Sequence, residues 1–265
     1  MVLLAIGDRP GFTRPVVSAT RVPSPWRVEG VSAFAVALTS PADSRDVEWS
    51  ASLPERLSNA REPRIVTFLA GRYCAGQALA AAGAGRDAVV EFGVDREPIW
   101  PDGFVGSITH TADFAGAVVT RKNGVIGIGI DTENLLSEAQ AQELRQTVAP
   151  EYSEINFVGP DADGEEDALL VSCLFSAKES IYKCLHPLVR EFFEFSDVSV
   201  TKLDRMRGTI QAVLNRPLGV FPRRWPIEVR FVPGADRVHT STILRAHDLP
   251  SVASPSFGNR DESST

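Results

Sequence analysis

The sequence lacks the features that mark several common classes of protein. Its three cysteines, Cys74, Cys173 and Cys184, are odd in number and show no paired spacing, so neither a disulfide framework nor a zinc site is predicted. No apolar run approaches the length of about 18 residues that a transmembrane helix needs, and the apolar start at residues 1–6 is too short for a signal peptide. These absences predict a cytoplasmic protein in a reducing compartment, without a membrane partner.

Positive charge is scarce as well. The 265 residues include 27 Lys and Arg against 34 Asp and Glu, a net charge of −7. A nucleic-acid-binding surface relies on many Lys and Arg side chains that neutralise phosphates, so no nucleic-acid partner is predicted. The chain also has neither a G-x-x-x-x-G-K-[ST] loop nor a strand–G-x-G-x-x-G–helix unit, which argues against a kinase or a Rossmann enzyme. A polyanionic ligand would therefore need a local basic pocket.

The segment Phe175–Lys183 carries one carboxylate between two lysines. Apolar residues around it recur with the period of one buried helix face, at Leu170, Leu174, Ile181 and Leu185. Lys178, Glu179 and Lys183 fall off this stripe. Because Glu179 and Lys183 are four residues apart, they are neighbours on the helix surface. By itself, the segment is compatible with a solvated ion pair.

A second informative stretch ends in two acids. The pair Asn123-Gly124 between two apolar runs predicts a β-hairpin of strands 115–120 and 125–133. Asp131 and Glu133 are two residues apart, so their carboxylates point to the same face at the end of the second strand. At a separation of about 4 Å and an effective dielectric constant near 20, their repulsion costs on the order of 4 kcal/mol, which a metal ion would remove. The alternative is an exposed strand end with the acids splayed apart in water.

The remaining patterns predict two units, each a helix followed by strands. Further strands are predicted at 31–39, 89–92, 192–200, 210–214, 227–232 and 238–244, and helices at 64–82, at 135–149 and from the acidic run 164–167 to the residue before His186-Pro187. We predict an N-terminal lobe at 1–124 and a C-terminal lobe at 125–250 that carries the paired acids. The polar stretch 251–265 is predicted to be a disordered tail.

Basic residues from several predicted elements are available around the acids: Arg64, Arg72, Arg96, His110, Lys178 and Lys183. Arg64 and Arg72 are eight residues apart on one helix, about two turns or roughly 12 Å, so they could bind separate phosphates. Ordinary surface charge is the alternative. The three carboxylates of Asp131, Glu133 and Glu179 form an oxygen-only donor set that favours Mg²⁺ over zinc.

Four motifs follow one another along the chain: AGR at Ala70–Arg72, GSITH at Gly106–His110, GIDTE at Gly129–Glu133 and FSAKESIYK at Phe175–Lys183. Together they resemble the Sfp/EntD-type 4′-phosphopantetheinyl transferases, with matching order and spacing from about Arg64 to Lys183. The resemblance implies a pseudo-dimeric, two-lobed α/β (α+β) fold. Each lobe would be a helix packed on a small, mostly antiparallel sheet, in a monomer with coenzyme A between the lobes.

The resemblance also implies an activity. The enzyme would transfer 4′-phosphopantetheine from coenzyme A to a serine of an apo acyl or peptidyl carrier protein and release adenosine 3′,5′-bisphosphate. Magnesium, or alternatively manganese, would bind Asp131, Glu133 and Glu179. Catalytic roles fall on Glu179, Lys183 and His110, and contacts to coenzyme A on Arg64, Arg72, Arg96, Thr109, His110, Lys178, Lys183 and Phe193.

Two other functions remain open at this stage. One is a carrier-protein-binding module without transfer activity, which the joint presence of all three acids and Lys183 argues against. The other is a metal-dependent nucleotide pyrophosphatase, which would use water in place of the serine and would need most of the same site.

Overall fold

Two β-sheets, each packed against one long helix, make up the architecture. The computed structural model describes residues 18–26, 28–39, 60–85, 87–94, 97–159 and 165–250. The helices are α1 (Glu62–Ala81), α2 (Glu138–Val148) and α3 (Glu165–Val189). The strands are β1 (Ser18–Val22), β2 (Ser32–Thr39), β3 (Glu91–Phe92), β4 (Pro98–Ile99), β5 (Phe104–His110), β6 (Phe114–Arg121), β7 (Val125–Asn134), β8 (Asn156–Val158), β9 (Val198–Asp204), β10 (Thr209–Leu214), β11 (Pro226–Pro233) and β12 (Arg237–Arg245).

The first sheet has the strand order β1-β2-β6-β5, and the second has the order β7-β12-β11-β10-β9-β8. Pairing is antiparallel except between β8 and β9. The predicted fold class, a mixed α+β chain with helices on mostly antiparallel sheets, is confirmed. The lobe boundary at residue 124 stays a prediction, although it coincides with the turn between the last strand of the first sheet and the first strand of the second. The predicted tail at 251–265 lies outside the described residues.

Each sheet has its own hydrophobic core. The first sheet packs against α1 through Ile65, Leu69 and Val119, and the second packs against α3 through Leu174, Ile181 and Ile210. The apolar periods from which α1 and α3 were predicted are therefore the faces that these helices bury. None of the helices in the described ranges has the length and hydropathy needed to cross a membrane.

The predicted hairpin around Asn123-Gly124 is wrong. Strand β6 pairs with β2 and β5, whereas β7 pairs with β12. The tight turn exists, with Gly124 at φ 78°, but it carries the chain from one sheet to the other. The N–H of Lys122 donates to the carbonyl of Gly103 and that of Ala246 to the carbonyl of Gly124, so the turn is held from both sheets. The hairpin at this place is β5–β6 instead.

The two sheets meet where the edge strand β5 lies against the edge strand β7, and side chains make the junction. The N–H of Ile130 donates to Oγ of Ser107, and the N–H of Thr132 donates to Oγ1 of Thr109, both at 3.0 Å. Ser107 and Thr109 are two residues apart and so point to the same side of β5. The two hydroxyl groups thus provide hydrogen-bond acceptors for N–H groups on the edge of β7, where a neighbouring strand would otherwise provide them. The junction brings the end of β5 beside the acidic end of β7.

Helix α3 lies so close to β7 that only glycine fits at position 129. A Cβ on Gly129 would overlap the carbonyl oxygen of Ser180. Thr240 of β12 strengthens this contact, because its hydroxyl donates to the carbonyl of Ser176 at 2.8 Å and lies 2.5 Å from the hydroxyl of Ser180. The contact fixes the turn of α3 that carries Glu179 over the end of β7.

Two predicted element boundaries are wrong. Helix α3 does not end before Pro187 but continues to Val189, because a proline only disfavours the helical conformation of the residue that precedes it. The predicted strand 192–200 begins only at Val198, after a 3₁₀ turn at Phe195–Asp197. The segment between α3 and β9 is therefore loop and turn, and it becomes part of the site described below.

An aromatic cluster around His239 of β12 adds a second junction between the sheets. The imidazole centroid is 5.9 Å from the ring of Trp26 and 5.3 Å from that of Phe114, and Nδ1 lies 2.9 Å from Oγ1 of Thr132. Burial, together with the positive charge of Arg237, lowers the pKa of His239 to about 4. The imidazole is therefore neutral in the folded protein at neutral pH.

This neutral histidine predicts a loss of stability in acid. In the unfolded chain His239 binds a proton below its ordinary pKa of about 6.5, whereas in the folded protein it stays neutral down to about pH 4. The free energy of unfolding therefore falls as the pH is lowered from about 6.5 to about 4. The contribution of His239 is up to about 3 kcal/mol at pH 4. Urea unfolding of wild type and His239→Gln between pH 4 and 7 measures it. The variant should lose less stability than wild type on acidification, and parallel profiles would contradict the assignment.

Candidate active site

A cleft of about 300 Å³ lies between the first sheet and α3. Five of the residues predicted for the site line it: Arg64, Arg72, His110, Glu179 and Lys183. They come from α1, β5 and α3, so the fold brings together groups that are more than 100 positions apart in sequence. We call this the basic cleft. It is the local concentration of positive charge that a polyanionic ligand requires in an acidic protein.

His110 and Arg64 form one wall of the basic cleft. Nη1 of Arg64 lies 3.1 Å from Nε2 of His110. Burial, reinforced by the charges of Arg64 and Lys183, lowers the pKa of His110 to about 4. A guanidinium has only donors, so Nε2 of the neutral ring accepts this hydrogen bond and Nδ1 carries the proton. His110 therefore presents a neutral imidazole, not a cation, to the cleft.

Arg72 is held more rigidly than a surface arginine. Its Nη1 donates to the carbonyls of Val90 and Glu91, both at 2.9 Å, and its guanidinium lies over the rings of Phe68 and Phe92. Burial lowers its pKa to about 10, so it stays charged at neutral pH. In the described part of the chain no carboxylate forms an ion pair with Arg72. Its charge remains available to an anionic ligand.

Asp131 is the most tightly held acid of the site, with only 2% of its surface exposed. Its Oδ1 accepts from Nζ of Lys183 at 2.6 Å and from the hydroxyl of Thr109 at 3.3 Å, while Oδ2 accepts from the hydroxyl of Ser176 at 2.8 Å. These partners come from β5 and α3. Asp131 is thus the point at which the first sheet, the second sheet and α3 converge.

Glu133 and Glu179 both interact electrostatically with Asp131. Burial raises the pKa of Glu133 to about 7, and repulsion from Asp131 and Glu179 adds to the rise. Burial and the charge of Asp131 also raise the pKa of Glu179. Burial alone would lower the pKa of Lys183, but attraction to the three carboxylates raises it. The ammonium group of Lys183 therefore interacts with all three carboxylates of the site.

The metal assignment stays a prediction. Over the described residues, no group of three or more His, Cys, Asp or Glu side chains is arranged to hold a metal ion as it stands. Lys183 supplies the positive charge at Asp131 in this arrangement. The chemistry of the donor set nevertheless fits magnesium, because a hard divalent cation prefers the oxygen ligands that three carboxylates offer.

The prediction that Lys178 stands outside the buried face of its helix is wrong. Its surface is 1% exposed, and its Nζ lies 3.0 Å from Oε1 of Glu151 and 3.0 Å from the carbonyl of Phe195. Glu151 also accepts from the N–H of Val200. A lysine can be buried here because its charge is paired and hydrogen-bonded. Its predicted contact with a cofactor stays a prediction.

A second cavity, of about 620 Å³, begins on the other side of Glu179. We call it the aromatic cavity, because its walls include Tyr182, Phe192, Phe193 and Phe195. Phe193 is buried, and its ring centroid is 4.9 Å from that of Tyr182. Glu179 and Tyr182 line both cavities. A long ligand could therefore pass Glu179 with one end among cations and the other among aromatic rings.

The structure assigns Thr109 to the interior. It is 2% exposed, and its hydroxyl is shared between Asp131 and the N–H of Thr132. Its predicted contact with phosphate stays a prediction, and Arg96 lies outside the described residues. Sequence reasoning missed Ser107, Ser176 and Glu151. The alternation of hydroxyls in GSITH was a usable signal for Ser107, whereas the distant partners of Ser176 and Glu151 leave no local pattern.

Comparison with known families now identifies the chain. The model of the 4′-phosphopantetheinyl transferase N-terminal domain matches residues 53–120, and that of the 4′-phosphopantetheinyl transferase superfamily matches residues 127–241. The chain belongs to the 4′-phosphopantetheinyl transferase superfamily. The resemblance inferred from the four motifs is thereby confirmed. The two matches are separated by the turn that joins the two sheets.

Individual relatives support the same family. Enterobactin synthase component D of Salmonella typhi is 37% identical over 129 residues, which are 49% of this chain and 51% of that protein. The 4′-phosphopantetheinyl transferases PptT of Mycobacterium tuberculosis and Svp of Streptomyces mobaraensis are each 30% identical. The matches cover 61% and 69% of this chain, and 73% and 77% of those proteins. The chain thus spans about half the length of the Salmonella relative and about three quarters of the other two.

The role of Thr109 as a junction residue predicts a large effect of one hydroxyl. Thr109→Val leaves the N–H of Thr132 without its acceptor and removes a donor from Asp131, so the free energy of unfolding should fall by about 1 to 3 kcal/mol. Urea denaturation measures the change. Thr111→Val is the matched control, because its hydroxyl binds only Asp113 at the surface and should matter by less than about 0.5 kcal/mol. Equal effects of the two variants would contradict the assignment.

Proposed function

We propose that this chain transfers the 4′-phosphopantetheine group of coenzyme A to a serine of an apo acyl or peptidyl carrier protein, with Mg²⁺, and releases adenosine 3′,5′-bisphosphate. The observation that carries the proposal is the position of Glu179. Its carboxylate lies where the basic cleft meets the aromatic cavity, beside Lys183 and the two acids of β7. The family membership of the chain supports the same activity.

The shape and charge of the two cavities match coenzyme A. The ligand has a phosphorylated adenosine, a diphosphate and a long arm that carries no charge. We assign the adenosine end, with its 3′-phosphate, to Arg64 and Arg72, and the diphosphate to His110 and Lys183. The arm then extends into the aromatic cavity, where Phe193 lies. Such a division places the 3′-phosphate near two guanidinium groups and the uncharged arm against apolar surface.

The metal fits the proposal at the acidic end of β7. Asp131, Glu133 and Glu179 would hold Mg²⁺, which would neutralise charge on the diphosphate during transfer. Lys183 pairs with Asp131 in the present arrangement. If Mg²⁺ compensated the charge of Asp131, the ammonium group of Lys183 would become available to bind a phosphate oxygen. Burial and the charge of Asp131 raise the pKa values of Glu133 and Glu179, so added positive charge would stabilise their ionised forms.

The chemical step needs one base. The serine oxygen of the carrier attacks the phosphorus next to the pantetheine, a new P–O bond forms to serine, and the P–O bond to the bridging oxygen breaks. The electron pair of the broken bond leaves with adenosine 3′,5′-bisphosphate. Glu179 accepts the serine proton, directly or through a water molecule. An ionised carboxylate can accept this proton, which suits Glu179 to the role.

The partner would be a carrier domain of a siderophore, polyketide or nonribosomal-peptide pathway. One group of relatives is named as a component of enterobactin synthase, and others are named as 4′-phosphopantetheinyl transferases. We propose that the chain acts as a cytoplasmic monomer. No nucleic acid or membrane takes part in the reaction, which needs only coenzyme A, the metal and the carrier.

Replacement of the base tests the proposal. Glu179→Gln should slow transfer by about 10² to 10⁴-fold, because the amide cannot accept the serine proton. The measurement is the mass gain of a panel of apo carrier domains incubated with coenzyme A and Mg²⁺. Glu143→Gln, on the exposed face of α2, is the matched control and should transfer at the wild-type rate.

Three outcomes would contradict the proposal. Full activity of Glu179→Gln would remove Glu179 from the chemistry. Cleavage of coenzyme A by wild type without any carrier present would indicate a nucleotide pyrophosphatase. Binding of the carrier without any mass gain would indicate a carrier-binding module.

A further inference from the structure

An ion pair joins the two walls of the basic cleft at a distance from the proposed catalytic groups. Nη1 of Arg190, the residue that follows α3, donates to Oε1 of Glu97 at 2.5 Å. Glu97 stands just before β4 and lines the cleft together with Trp100, whereas α3 lines it with His186 and Pro187. The ion pair therefore connects the wall supplied by the β3–β4 segment to the wall supplied by the end of α3.

The backbone of Arg190 has a conformation that arginine rarely adopts. Its φ is 53°, and among the described residues only Arg190 and Arg224 combine a positive φ with a side chain. The N–H of Arg190 donates to the carbonyl of His186 and closes the last turn of α3. Glycine is the usual residue at this helix position, because an L-residue is strained there. At Arg190 the strained residue is also the one whose side chain binds Glu97 across the cleft.

Glu97 is an unusual residue for the wall of a basic cleft. Its side chain is only 8% exposed, and the carboxylate fits against Gly93, where a Cβ would overlap it. The N–H of Gly93 in turn donates to the carbonyl of Glu97 at 2.9 Å. Exposed ion pairs usually contribute little. Here one partner is buried and its backbone is tied into the β3–β4 pair, so the bond to Arg190 links this pair to the end of α3.

We propose that Arg190 is a positioning residue for coenzyme A. Through Glu97 it holds the β3–β4 segment against the end of α3 and so sets the width of the basic cleft. This inference rests on the proposed function for the identity of the ligand. The link that the Arg190–Glu97 ion pair makes between the two walls does not depend on the identity of the ligand. The link and the role in coenzyme A binding can therefore be tested separately.

Hydrogen exchange of the free protein tests the link without any ligand. Arg190→Gly should increase the exchange rate of the Gly93 amide at least about threefold, because the segment loses its anchor on α3. Its melting temperature should stay the same or rise, since glycine relieves the backbone strain. Arg224→Gly is the matched control, because it relieves the same strain on the turn between β10 and β11, and its Gly93 amide should exchange at the wild-type rate. Unchanged exchange in Arg190→Gly would overturn the link.

Steady-state kinetics tests the positioning role. Arg190→Gly should raise KM for coenzyme A about fivefold with kcat within about twofold of wild type, and Arg190→Lys should restore most of the difference. In the Glu97→Gln background, Arg190→Gly should change KM by less than about twofold, because the ion pair is already lost. An unchanged KM in Arg190→Gly would overturn the proposal. The proposal would also be overturned if Glu97→Gln alone left KM unchanged and restored the wild-type KM when combined with Arg190→Gly. Arg190 would then only neutralise the charge of Glu97. Absence of transfer in wild type would refute the proposed function, whereas the exchange result would still decide the link.

Discussion

Two hydroxyl groups on β5 determine where the site forms. Ser107 and Thr109 accept hydrogen bonds from the outer edge of β7 and so join two sheets that share no backbone ladder at this place. Strand β5 ends in His110, and β7 carries Asp131 and Glu133 near its end. The junction therefore sets a neutral imidazole near Asp131. A shift of either strand by one residue would turn these side chains to the other face.

Helix α3 completes this arrangement through electrostatics. Lys183 lies among three carboxylates, and its bond to Asp131 compensates a repulsion that would otherwise oppose folding. Burial raises the pKa values of Glu179 and Glu133, and the charge of Asp131 adds to the rise, although Lys183 opposes it. The free protein thus holds a site that is short of positive charge at its acidic end. On the proposed function, the cation that meets this need is the one that the transfer reaction also requires.

The sequence predicted those parts that depend on local pattern. The apolar periods placed α1 and α3, and the four motifs contain Arg72, His110, Glu179 and Lys183 of the basic cleft. Long-range pairing was not predictable in the same way. The Asn-Gly turn has the same local signal whether its strands pair with each other or, as here, β7 pairs with β12. Lys178 was misplaced for a similar reason, since Glu151, which permits its burial, lies 27 positions away and leaves no helical period.

The central claim is that the acids of β7 and α3 and the cations of the basic cleft act on one ligand together with one metal. Calorimetric titration of coenzyme A into the wild-type protein, with Mg²⁺ and then with a chelator, tests it most directly. The account predicts binding with Mg²⁺ that weakens at least about tenfold in the chelator, because the diphosphate then meets uncompensated carboxylates. Equal affinity under the two conditions, or no binding in either, would contradict it.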